Sequence, residues 1–159
     1  MNRNITCTSE AGAGHARRVV FLEALAGLLG CCTDVSGGLP DGRKPDVLRF
    51  SFFRKRLFIG DAKETEAPGS AATRSRLFGY IRWFAGYVAT PERGGILVIC
   101  FGRRLDGRRW HDTIKALANE AHVTVVRSGL QEFDSDCSLV WLVAGQGLAC
   151  RLLSNAEGS

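Results

Sequence analysis

The chain has 159 residues, 45% of them apolar, with a mean hydropathy near zero. That is enough to bury a core in one domain, and it argues against a disordered chain. Twenty-one Lys and Arg against sixteen Asp and Glu leave a net charge of +5, a moderate basic excess carried mostly by arginine. Arginine suits bidentate phosphate contacts, so the bias leans toward nucleic acid, although a GC-rich genome would also enrich arginine.

No stretch reaches the eighteen or so apolar residues of a membrane span. The six cysteines form no C-x-x-C pair and have no histidine at zinc-ligand spacing. Free thiols without a signal peptide suggest the cytoplasm. Vicinal Cys31 and Cys32 could be redox-active, but two ordinary thiols explain them better.

Residues 1–14 read as a frayed, polar lead-in and 154–159 as a loose end, with one domain between. A helix is expected from about His15, with Val19, Leu22, Leu25, Leu28 and Leu29 at helical spacing and Gly30 as its stop. Glu23 is a lone acid on this apolar helix. The plain explanation is an acid at the rim of the apolar face. Cys31 to Val35 reads as a short strand, and the turn cluster 36–43 follows.

Val47 to Phe53 and Arg56 to Lys63 read as a strand pair joined at Arg54-Lys55. Antiparallel pairing makes Asp46 and Asp61 cross-strand neighbours. Side chains alternate along a strand, so Asp61 and Lys63 share a face, roughly 7 Å apart. Such charges at the edge of a core are costly unless they pair or bind something. Asp34 and Asp41 are competing carboxylates. Asp41 sits in a turn, where Asp is expected for backbone reasons, so Asp46 is preferred.

Ser70 caps a helix over about 71–87, with Leu77, Ile81, Phe84 and Val88 on one face. Arg74, Arg76 and Arg82 lie elsewhere, with Tyr80 near Arg76 and Arg82. These arginines could meet phosphates and the aromatics could meet bases, or they form an ordinary solvated face. Gly95 to Phe101 is a continuous apolar run, expected as a central strand buried on both faces. An amphipathic helix over 108–121 and a strand over 122–127 follow, and this strand is expected parallel to the 95–101 strand. Arg103, Arg104, Arg108 and Arg109 cluster at the strand end, where they could grip phosphates or equally form a solvated loop. Residues 137–143 read as an edge strand or an oligomer contact, and 144–153 as a short helix. The three histidines read as structural or exposed.

Pro45-Asp46, fourteen residues, then Asp61-Ala62-Lys63 resembles the PD-(D/E)xK nuclease superfamily, across roughly residues 16–101. The resemblance implies an α/β restriction-endonuclease-like core: a mixed central sheet flanked by helices, in the order αβββαβ, here with an extra αβ unit. It implies a metal-dependent endonuclease. Asp46 and Asp61 would bind Mg²⁺ or Mn²⁺, the Ala62 carbonyl would add a ligand, and Glu23 would complete the site. Lys63 would orient the attacking water. Arg74, Arg76, Arg103 and Arg104 are the candidate nucleic-acid contacts, with DNA favoured over RNA and no membrane partner. A homodimer would allow both strands to be cut. The alternatives are a toxin-type ribonuclease, an inactive nuclease-like binding module, and a purely structural Asp61–Lys63 pair.

Overall fold

The computed structural model describes residues 10–35, 38–63, 68–102, 106–134 and 137–145. The described chain is α/β, a six-stranded mixed sheet with three helices. Helix α1 spans Glu10–Leu28, β1 Cys31–Asp34, β2 Val47–Ser51 and β3 Arg56–Lys63, with a 3₁₀ turn at Phe52–Arg54 between β2 and β3. Helix α2 is Ala71–Val88, β4 Gly94–Phe101, α3 Gly107–Glu120, β5 Val125–Asp134 and β6 Cys137–Gly145. The first helix therefore starts ahead of His15, and residues 10–14 belong to it rather than to a frayed lead-in. Residues 146–159 lie outside the described residues, as does most of the expected short helix over 144–153. Ala144 and Gly145 belong to β6.

The sheet runs β1-β2-β3-β4-β6-β5. Strands β1, β2 and β3 form an antiparallel meander, and β4 lies parallel to β3. That parallel step needs a crossover, and α2 supplies it. Ser70 caps α2 as expected, its hydroxyl accepting the Thr73 N–H at 3.2 Å.

Two apolar layers hold the sheet between helices. On one face Leu57 and Ile59 of β3 and Leu97 and Ile99 of β4 pack with Leu77, Ile81 and Phe84 of α2 and with Trp110 and Ile114 of α3. On the other, Phe58, Ala62, Val98 and Cys100 pack with Leu22, Leu25 and Ala26 of α1. The alternation of the strands divides these sets. Strand β4 is buried along its whole length, as its unbroken apolar run requires.

The far half of the sheet differs from the expectation. Strand β6 is not an edge; it sits between β4 and β5 and is antiparallel to both. Strand β5 takes the edge. It keeps the direction of β4 but is not its neighbour. Composition explains the swap. Leu139 to Ala144 are all buried and need cover on two faces, whereas β5 carries Arg127, Ser128 and Gln131 and tolerates an open side. Among the described residues no helix is long and apolar enough to cross a membrane.

Candidate active site

The two acids of the β2–β3 pair, Asp46 and Asp61, lie with Lys63 at one end of the sheet. Val47 stands opposite Gly60, so one step further Asp46 faces Asp61. The two are interlocked through the backbone. The Asp46 N–H donates to Asp61 Oδ1 at 3.2 Å, and the Ala62 N–H donates to Asp46 Oδ2 at 2.8 Å. The strand alternation that sends Leu57 and Ile59 toward α2 sends Asp61 and Lys63 there too.

Asp61 and Lys63 are both buried, and Lys63 Nζ lies 2.7 Å from Asp61 Oδ2. At that separation the ammonium and the carboxylate form a charge-assisted hydrogen bond, which ties Lys63 to Asp61. Burial pushes the Asp61 carboxyl up to about 7; Lys63 opposes this, and Asp46 adds to it. Tyr80 of α2 is buried beside the group. Its hydroxyl is raised first by burial and then by the charge of Asp61. A tyrosine so enclosed does not offer its ring to bases, contrary to the expected stacking role. Its hydroxyl instead points to the Lys44 carbonyl, at a long 3.5 Å.

Helix α1 contributes a different residue from the one expected. His15 Nε2 lies 3.5 Å from Asp46 Oδ1, whereas Glu23 is exposed. Eight residues separate them, about 12 Å along a helix axis. The resemblance-based role for Glu23 therefore lacks a geometric basis: Leu22 takes the inward position, above Gly60, where an added Cβ would lie 3.3 Å from it. A signal for His15 was present. His15, Arg18, Leu22, Leu25 and Leu29 follow helical spacing, and all but half-buried His15 are buried.

The competing carboxylates are engaged elsewhere. Asp34 pairs with Arg49 at 2.5 Å. Asp41 Oδ1 accepts the Arg43 N–H at 3.0 Å, and its Oδ2 lies 3.6 Å from Arg43 Nε. Arg43 in turn ties its loop to α2, through the Ser75 carbonyl and through Ser75 Oγ at 3.1 Å. Gly79 makes room, since a Cβ there would sit 3.1 Å from the Arg43 guanidinium carbon. Sequence reading missed Arg43, because a turn arginine carries no local mark of a distant partner.

Of the expected nucleic-acid contacts, Arg74 leans toward Glu120 of α3 at 3.9 Å, and Arg76 is exposed one helical turn before Tyr80. Arg103 and Arg104 lie outside the described residues.

Among the described residues no three His, Cys, Asp or Glu side chains are grouped as metal ligands. The donors that do converge are two carboxylates, with the Ala62 peptide between them. This set does not suit structural zinc, which takes four protein ligands. It suits Mg²⁺, which binds through one or two carboxylates and keeps waters and substrate phosphate oxygens as its other ligands.

No family model, curated protein or solved structure matches this chain.

Proposed function

We propose that the chain is a Mg²⁺- or Mn²⁺-dependent endonuclease of PD-(D/E)xK type, acting on DNA in preference to RNA. One observation carries the reading: Asp46, Asp61 and Lys63 converge at one end of the β2–β3 pair, the carboxylates joined by the 3.2 Å Asp46 N–H bond. The element order α1-β1-β2-β3-α2-β4, with an antiparallel meander followed by one parallel strand, supports it.

Asp46 and Asp61 would hold the ion, with the Ala62 carbonyl as a further donor. A bound divalent ion would polarise the phosphoryl oxygen and neutralise charge on it. Lys63, held by Asp61, would hydrogen-bond the attacking water and stabilise negative charge developing on the phosphate. His15 would orient Asp46. Arg76 would meet the substrate backbone, a contact that positions without reading sequence. A pair of such chains could cut both strands of a duplex.

A second reading is a nuclease-like module that binds nucleic acid without cutting it. The exposure of Glu23 and the lack of a third grouped ligand among the described residues favour it. Cleavage of plasmid and of RNA in Mg²⁺ or Mn²⁺, with Lys63→Ala beside wild type, separates the two. Cutting by wild type alone supports the enzyme. Binding without cutting in either ion supports the module.

A further inference from the structure

The opposite end of the β2–β3 pair carries a feature that the carboxylate site does not use. Phe52 and Phe53 are 77% and 80% exposed, and their rings meet edge to face with centroids 4.4 Å apart. Phe53 and Arg54 take φ of 65° and 55°, the left-handed region that bulky side chains avoid. An ordinary turn would place glycine or asparagine there. The conformation costs stability and turns large apolar rings into water, two features that together mark a functional surface.

The turn is braced. The Tyr87 hydroxyl donates to the Arg54 carbonyl. The Arg54 guanidinium lies 5.4 Å from the centre of the Phe50 ring, and Arg93 lies 5.0 Å from that of Tyr87. Ser51 Oγ accepts the Arg56 N–H at 2.9 Å. Arg54, Lys55 and Arg56 follow the rings directly, and no acid lies between Asp46 and Asp61. Aromatic faces beside fixed cations are what single-stranded nucleic acid requires: rings stack with bases and cations follow phosphates.

The turn and the carboxylates are the two ends of one strand pair. An open cleft beside Asp46, lined by Lys44, Leu48 and Arg49 with Asp34, Val35 and Gly38, lies at the carboxylate end and holds no residue of the turn. At about 3.3 Å per residue the turn lies about 20 Å from Asp61. A stacked strand advances about 3.4 Å per nucleotide, so about six nucleotides span that distance.

We propose that the Phe52–Phe53 turn is a stacking clamp for single-stranded nucleic acid, holding the strand that leads away from the Asp46–Asp61 pair. The second half of this statement rests on the nuclease reading; the binding itself does not.

The test measures affinity for a labelled single-stranded oligonucleotide long enough to span both sites, in chelator so that nothing is cut. Phe52→Ala/Phe53→Ala is expected to weaken binding roughly tenfold or more, from the loss of base stacking. Phe52→Trp/Phe53→Trp is expected to retain it. Both rings are exposed, so the variants should fold, and circular dichroism checks that. Unchanged affinity in the alanine variant overturns the clamp. So does loss of binding to phosphatidylserine vesicles with oligonucleotide binding intact, which makes the turn a membrane contact. So does a fall in molecular mass with oligonucleotide binding intact, which makes it a contact between copies. Binding through the turn with no cleavage in Mg²⁺ or Mn²⁺ keeps the clamp and removes the nuclease. Cleavage of short and long oligonucleotides alike by the alanine variant and wild type keeps the nuclease and removes the clamp.

Discussion

The Asp46 N–H donates to Asp61 Oδ1, and Asp46 Oδ2 accepts the N–H of Ala62, the residue after Asp61. Each aspartate thus helps fix the other before any ligand arrives. Under the proposed nuclease reading, donors fixed in this way would need no rearrangement at the moment of reaction.

The Asp61 carboxyl gives the site a pH dependence whose sign can be worked out. Its value rises from 3.8 to about 7 on folding, first through burial. A raised value means that the folded state binds the proton more tightly. The resulting stabilisation is complete below about pH 3.8 and is lost as pH rises through about 7. Urea unfolding in chelator should therefore show this contribution falling between about pH 3.8 and about pH 7, and levelling off above that. Asp61→Asn should flatten that change. Mn²⁺ should stabilise wild type more at pH 8, where the ionised carboxylate is free to bind it.

Lys63 lies buried against Asp61, so its removal strands a buried carboxylate. Breaking such a pair costs about 3–5 kcal/mol in general. For Lys63→Ala the loss should approach about 3 kcal/mol at pH 8. It should shrink at pH 5, where Asp61 takes up a proton. Paired denaturation curves at the two pH values read this directly. The same variant should lose cleavage at both.

His15 and Glu23 separate the observed geometry from the family-based expectation. His15→Ala should lower the cleavage rate, because Asp46 loses its neighbour on α1. Glu23→Ala should stay within about twofold of wild type, since exposed substitutions away from packed features change little. Single-turnover rates on one substrate give both values. A collapse for Glu23→Ala with wild-type behaviour for His15→Ala would reverse the assignment.

Arg43 holds the loop before β2 against α2. Arg43→Ala should cost about 1.5 kcal/mol, the low end of the range for hydrogen bonds to a charged group, because these bonds are exposed. It should also loosen Pro45 and Asp46 and so weaken activity beyond the stability loss. Thermal unfolding together with the rate at a temperature well below the transition distinguishes the two effects.

The first half of the fold was legible because its signals are local. Ser70 marked the start of α2, the 95–101 run marked a buried strand, and the 46-to-61 spacing fitted a tight strand pair. Strand order in the second half depends on which apolar strand finds cover on both faces, a contest settled between β5 and β6. A helix followed by a strand suggested that β5 would join β4; the β5–β6 hairpin instead folds back and places the more apolar strand inside. In the site, Asp46, Asp61 and Lys63 were readable from strand alternation. His15 was not singled out, because its partner lies 31 positions away in the chain and α1 could have met the sheet in another rotation.

The shared-ion claim is tested most directly by titrating Mn²⁺ into the chelator-treated protein at pH 8 and counting bound ions by electron paramagnetic resonance. A single bound ion per chain in wild type, lost in both Asp46→Asn and Asp61→Asn with the fold intact, is the expected result. No bound ion in wild type, or equal binding in all three proteins, would contradict it.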